Sequence, residues 1–171
     1  MATKIGAGGR QQNYDPHTGR YTSTTFCRPP EIVKEEKKRL KERLRREELF
    51  NRAQNSRDPL VFETFRAIES VLPGHVQAVN IKKNDPAISD LREFDIITKK
   101  CIIEVKSSKH LTRGEKQFPA QKRYAEVEAH KHYFVFAPNV SRASVAKFFD
   151  MGIVVINTHR KLVNIIKEYE K

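Results

Sequence analysis

The stretch IITKKCIIEVKSS, residues 96–108, decides both the fold and the candidate site of this chain. Two apolar arms flank the pair Lys99-Lys100, a pattern that predicts a β-hairpin. Counting outward from this turn pairs the isoleucines of the two arms and places Asp95 opposite Glu104. Because side chains alternate along a strand, Lys106 lies on the same face as Glu104. The sequence therefore predicts two opposed carboxylates with a lysine beside them.

Two carboxylates directly opposite each other destabilise an antiparallel pair, since their Cβ atoms lie about 5 Å apart. A divalent cation removes this penalty, because Mg²⁺ is held by one or two carboxylates together with waters and phosphate oxygens. The alternative is an ordinary ion network on an exposed sheet face. The apolar neighbours on both arms indicate a central strand, where charges are tolerated only when paired or metal-bound. We therefore predict a Mg²⁺ or Mn²⁺ site on Asp95 and Glu104, with Lys106 positioning the attacking water or offsetting charge at a phosphate.

The composition favours an anionic partner. Among 171 residues there are 33 Lys and Arg against 21 Asp and Glu, a formal net charge of +12. Such an excess suits nucleic acid, an acidic protein or a membrane surface. No apolar run approaches the ~20 residues of a membrane span, and the opening MATKIGAGG lacks the apolar core of a secretory signal. The two cysteines exclude a disulfide framework and a cysteine-rich zinc site, so a reducing compartment is expected.

Three segments follow from the composition along the chain. Residues 1–30 are rich in Gly, Gln, Thr, Ser and Pro and predict a flexible leader. Residues 31–56 predict a charged connecting helix with a thin apolar stripe, either solvated or docked. Residues 57–171 predict one compact domain.

The compact domain alternates helical and strand patterns. A helix over 59–72 precedes the strand HVQAVNI and the hairpin; then come a helix over 119–128 opened by Pro119, the buried strand HYFVFAP, a helix, the strand IVVINT and a last helix. An antiparallel meander followed by helical crossovers predicts an α/β fold with a central mixed β-sheet flanked by helices.

The hairpin residues match a known family. Asp95, eight intervening residues and then Glu104-Val105-Lys106, within this order of elements, resemble the PD-(D/E)XK nuclease superfamily, in particular archaeal Holliday-junction resolvases and restriction-endonuclease-fold toxins. The resemblance covers about residues 57–158 and implies a restriction-endonuclease-like core, αβββαβ. It also implies that Asp95 and Glu104 bind the metal and that Lys106 assists the water. Phe94 stands where the motif's proline would be.

Further site residues follow from the same resemblance. Members often add a glutamate from the first helix. Its position along the helix axis favours Glu63 as a third metal ligand, whereas its place on the apolar face favours Glu69; we predict Glu63. In the helix after the hairpin, Gln121 occupies the place of a residue that faces the site in relatives, with Lys122 and Tyr124 beside it. The basic residues expected to contact the phosphate backbone are Lys109, His110, Arg113, Lys116 and Lys122.

The leader carries a resemblance of its own. The segment NYDPHTGRYTS, residues 13–23, is similar to the YDPxTGRY segment before the effector domains of Rhs-type polymorphic toxins. Together the two resemblances imply a toxin nuclease that hydrolyses DNA in the cytoplasm of the cell it enters, delivered within a larger secreted protein, with an acidic immunity protein as a candidate partner. Cleavage of RNA, including transfer RNA, and a noncatalytic nucleic-acid or junction-binding module are the alternatives.

Overall fold

A computed structural model describes residues 3–6, 10–15, 17–18, 20–24, 30–82, 93–111 and 114–171. The chain divides into two compact units, Met1–Leu44 and Arg45–Lys171. Within the described residues, no helix combines the length and the apolar character needed to cross a bilayer.

The first unit contains a small antiparallel sheet in the segment expected to be a flexible leader. Its strands are β1 (Thr3–Gly6), β2 (Arg10–Asp15) and β3 (Arg20–Thr24), in that order across the sheet. Asp15 pairs with Arg20, and the residues between them include Pro16 and Gly19, both common in turns. The composition of this segment predicted no strands. The turn-forming residues Pro16 and Gly19 were the available signal for a hairpin.

Helix α1 (Pro30–Gln54) spans the boundary between the units. Its last ten residues belong to the second unit, where Leu49 and Ala53 are buried in the core. The compact domain therefore begins near residue 45, earlier than the predicted residue 57. The apolar stripe expected on this helix is largely exposed, with Leu44 at 54%.

The second unit is an α/β fold built on a five-stranded mixed sheet flanked by helices. The strands are β4 (Val76–Lys82), β5 (Glu93–Thr98), β6 (Cys101–Val105), β7 (His132–Phe136) and β8 (Val154–Ile156), in this order across the sheet. The pairs β4–β5 and β5–β6 are antiparallel, whereas β6–β7 and β7–β8 are parallel. The sequence predicted this class.

Helices cover both faces of the sheet. They are α2 (Pro59–Val71), α3 (Gly114–Arg123) with a π-helical turn at Tyr124–Glu128, α4 (Arg142–Asp150) and α5 (His159–Tyr169). Because neighbouring strand residues point to opposite faces, Ile103 packs in the core with α2 and α5, and Ile102 packs in the core with α3 and α4. Strand β6 is consequently buried along its whole length.

Helix α3 begins five residues before its predicted start. We expected Pro119 in the first turn, but the helix runs from Gly114 and contains Pro119 in its interior. Pro119 forfeits one helical hydrogen bond. The neighbouring Phe118 is buried and contacts Phe148, with ring centroids 5.1 Å apart. This packing holds the helix despite the proline.

Candidate active site

The hairpin of β5 and β6 places Asp95 beside the end of β6. Its register pairs Ile96 with Ile103 and Ile97 with Ile102, as the sequence predicted. One step further out, the Asp95 Oδ2 atom accepts a hydrogen bond of 2.7 Å from the main-chain N–H of Val105. A side chain thus takes the N–H that the neighbouring strand would otherwise bind, which fixes the carboxylate at this position.

Glu104 is held by three donors. It is 1% exposed, and its Oε1 atom accepts from the Gln117 amide at 3.0 Å and from the Lys106 ammonium. Its Oε2 atom accepts from Gln121 Nε2 at 3.1 Å. Both oxygens of the buried carboxylate are therefore satisfied, as a charge in this environment requires.

Gln121 is itself locked in one orientation. The Tyr133 hydroxyl donates to its Oε1 atom at 2.7 Å, and its Nε2 atom donates to the main-chain oxygen of Glu93 at 3.0 Å as well as to Glu104. The side chain is 0% exposed. Because Glu104 and the Glu93 carbonyl are acceptors, the amide nitrogen must face them, which agrees with a hydroxyl donor on the other side.

The two carboxyls bind protons more tightly than ordinary acids. Burial, and then the negative charge of Glu104, raise the pKa of Asp95 to about 8, against the opposing effects of Lys106 and the Val105 N–H. Burial also raises the pKa of Glu104, although Lys106, Gln121 and Gln117 favour its ionised form. Burial would lower the pKa of Lys106, but the charges of Glu104 and Asp95 outweigh it and raise the pKa.

Asp95, Glu104 and Lys106 share the wall of a cavity of about 520 Å³. His110 and Gln117 also line this cavity, and Gly114 and Phe118 contribute from α3. A second cavity of about 360 Å³ shares its Asp95 and Lys106 wall and extends toward the residues between α1 and α2 and the end of β4. The carboxylates and the lysine therefore lie where two cavities meet.

The predicted first-helix glutamate is not brought to this wall. Glu63 is exposed on α2 and lines neither cavity, because it lies about 200° around the helix from the buried Val61, at 100° per residue. Glu69 accepts from the main-chain N–H groups of Gly74 at 2.9 Å and Val76 at 3.3 Å, so it closes the turn after α2. The structure therefore does not bring Glu63 to the two carboxylates.

The basic residues predicted to contact phosphates lie in different places. His110 lines the larger cavity. Lys109 and Lys116 are exposed but line neither cavity. Lys122 does not face the site: its ammonium donates to the carbonyl of Gly152 at 2.8 Å. Arg113 lies outside the described residues.

Tyr124, predicted beside Gln121, has a packing role. Its ring stacks on Phe94 with centroids 5.3 Å apart.

Sequence reasoning missed Gln117, Tyr133 and two acids near the lysine. Gln117 lies four residues before Gln121 on α3, so both amides occupy one helix face. This spacing was the available signal.

Asp58, which caps α2 by accepting from the Leu60 N–H at 3.0 Å, also lines the smaller cavity and raises the pKa of Lys106. Glu93 lines both cavities.

The donor set fits a hard cation that keeps most of its own waters. Two carboxylates, Asp95 and Glu104, share one cavity wall with space beside them, and Mg²⁺ needs no more protein ligands than one or two. The described residues contain no group of three or more His, Cys, Asp or Glu arranged to hold a metal ion.

Comparison of the chain with models of known protein families, with curated proteins and with solved structures found no match.

Proposed function

We propose that this chain is a metal-dependent nuclease of the PD-(D/E)XK type that hydrolyses phosphodiester bonds, and that its five-stranded sheet is a restriction-endonuclease-like core. The observation that carries the proposal is the half-buried Asp95 and the buried Glu104, which share one cavity wall with Lys106. Two neighbouring carboxyls with raised pKa values destabilise a fold, and such perturbed groups cluster at functional sites.

Each residue has a distinct role in this reading. Asp95 and Glu104 would hold a Mg²⁺ or Mn²⁺ ion, which would supply polarisation of a phosphate oxygen and a water molecule. Gln117 and Gln121 hold the Glu104 carboxylate in place, and Tyr133 fixes Gln121. Lys106 is kept at the cavity wall by its main-chain N–H, which donates to the Phe136 carbonyl at 2.8 Å. Its ammonium stabilises negative charge that develops on the phosphate.

The substrate is a polyanion, in agreement with the net charge of +12. We favour DNA, because the hairpin motif resembles DNA-cleaving relatives, and we place the chain among toxin effectors that act in the cytoplasm of the cell they enter. An acidic immunity protein is the partner that this basic chain would attract.

The decisive experiment compares plasmid, linear DNA and total RNA incubated with the purified protein in Mg²⁺, Mn²⁺ or EDTA. Cleavage is expected with either metal and not with EDTA, and the substrate that is cut decides between DNA and RNA. Full activity in EDTA, or no cleavage of any nucleic acid in Mg²⁺, would overturn the proposal.

Lys106→Ala separates a catalyst from a noncatalytic binding module. One lost cation among many should weaken binding of nucleic acid only slightly, whereas loss of transition-state stabilisation should reduce cleavage by at least 100-fold, about 3 kcal/mol. The matched control is Lys161→Ala, an exposed lysine of α5, which packs on the opposite face of the sheet. Equal cleavage by the two variants would assign Lys106 to a surface ion network.

A further inference from the structure

The larger cavity has an apolar wall in addition to its charged residues. The apolar wall is formed by Leu111, Gly114 and Phe118, and the charged residues include Asp95, Glu104 and Lys106. Its volume of about 520 Å³ lies within the range of pockets that enclose small organic ligands, roughly 300–1,000 Å³. Coordination of a cation and one phosphate requires no apolar surface. The apolar wall therefore suggests that the cavity binds a further, partly apolar group.

The apolar wall is rigid. A Cβ atom added to Gly114 would lie 2.3 Å from the ring of Phe118, so the helix backbone and this ring are in direct contact only because residue 114 has no side chain. Phe118 is in turn packed against Phe148 in the core. The cavity is therefore preformed, and its wall does not move aside easily.

Polar groups surround the opening. Ser108, His110 and Gln117 line the cavity together with its charged and apolar residues. Gln117 uses its amide nitrogen on Glu104, which leaves its carbonyl oxygen as an acceptor for an incoming group. Apolar lining residues together with a few side-chain donors and acceptors are an environment that suits a nucleobase.

We propose that this cavity binds the base of the nucleotide next to the phosphate that is cleaved, so the enzyme acts on nucleic acid at an unpaired nucleotide. The inference rests on the proposed nuclease function. A base within a duplex is stacked and paired and reaches a concave pocket only after it is turned out of the helix. A single strand, a loop or a mismatch does not pay this cost.

The smaller cavity suits the continuing backbone of the same strand. Beyond the wall shared with the larger cavity, it is lined by Arg57, Lys82, Asn55 and Asn80, and by the acid Asp58. Basic and amide side chains are the usual partners of phosphate and sugar oxygens. A strand that passes from one cavity to the other crosses Asp95 and Lys106, where the reacting phosphate would lie.

The test is an abasic scan of short oligonucleotides, in both DNA and RNA. In each substrate one nucleotide at a time loses its base and keeps its sugar and phosphates, and cleavage is measured with the parent protein in Mg²⁺. Binding is measured with the Glu104→Gln variant by fluorescence anisotropy. We expect one position, adjacent to the cut, to lose at least tenfold in both measurements, while the other positions change less than threefold and serve as matched controls.

Duplexes complete the test. A duplex with a mismatch at the sensitive position should be cut at least tenfold faster than the fully paired duplex. A flat abasic scan, or equal cleavage of mismatched and paired duplexes, would overturn the base pocket while the observed cleavage still supports the nuclease. Absence of cleavage for every substrate would instead refute the proposed function itself.

Discussion

Replacement of Asp95 by Asn is expected to stabilise the metal-free protein. Burial and the charge of Glu104 raise the pKa of Asp95 to about 8 from 3.8. At about 1.4 kcal/mol per pKa unit, this carboxyl lowers the free energy of unfolding at pH 7 by about 4 kcal/mol, because the unfolded chain ionises it freely. Lys106 and Glu104 titrate together with it, so we expect Asn to recover about half of this amount, ~2 kcal/mol. An Asn side chain still offers an oxygen to the N–H of Val105.

The same raised pKa also fixes the sign of the pH dependence of stability. Between about pH 4 and pH 8 the folded protein keeps a proton on Asp95 that the unfolded chain has already released. The free energy of unfolding of the parent should therefore fall as the pH rises through this range. Urea unfolding at pH 5 and pH 8 should show a smaller fall in the free energy of unfolding for Asp95→Asn than for the parent. At pH 7 its Tm should be about 4–8 °C higher. Mg²⁺ at pH 8 should raise the Tm of the parent and leave the variant unchanged.

Glu63→Gln is the control for this experiment, since it removes an exposed acid of α2 and should alter neither the Tm nor the pH dependence. An Asp95→Asn protein that is less stable than the parent and keeps the full pH dependence would refute the reasoning.

Two further substitutions test the packing around the sheet. Burial alone would raise the pKa of Glu170, but hydrogen bonds from Thr98, His75 and the main-chain N–H of Lys100 lower it, so its stabilisation is present at neutral pH and lost as the pH falls through the lowered pKa. Urea unfolding of Glu170→Gln should show a loss of about 1–2 kcal/mol at pH 7 that shrinks as the pH falls below about 4.5, the ordinary pKa of this group. Gly114→Ala places a methyl group against the Phe118 ring and should lower the Tm by several degrees in thermal unfolding; an unchanged Tm would show that the ring moves freely.

The hairpin was predictable because its constraints are local. Two apolar arms, a two-residue turn and strict alternation fix the register, and the register alone brings Asp95 and Glu104 to one end. Lys106 follows from the same alternation. The mixed sheet was also predictable, since short apolar strands separated by helical patterns leave few other arrangements.

The rest of the site depends on which helix face meets the sheet. The position of Glu63 along the α2 axis favoured it as a ligand, but Val61, Phe65 and Ile68 decide the buried face and turn Glu63 outward. Lys122 follows Gln121 directly, so on an α-helix the two point about 100° apart, and only Gln121 reaches Glu104. The start of α3 was predicted too late because proline is most frequent in the first turn of a helix. Here the packing of the neighbouring Phe118 holds Pro119 in the helix interior.

One backbone irregularity lies across from Asp95, where no sequence pattern reveals it. In the β4–β5 ladder, Val79 pairs with Ile96 and Ile81 with Phe94, so Asn80 lies across from Asp95. Asn80 has a φ of 50°, a left-handed conformation that costs a non-glycine residue about 1 kcal/mol or more. Its amide donates to the Arg52 carbonyl at 3.1 Å, which ties the strained residue to the end of α1. On the other side of Asp95, its own carboxylate takes the N–H of Val105. The sheet thus departs from regular pairing on both sides of one half-buried acid, and a protein that needed only a stable sheet would gain by placing an apolar β-branched residue there.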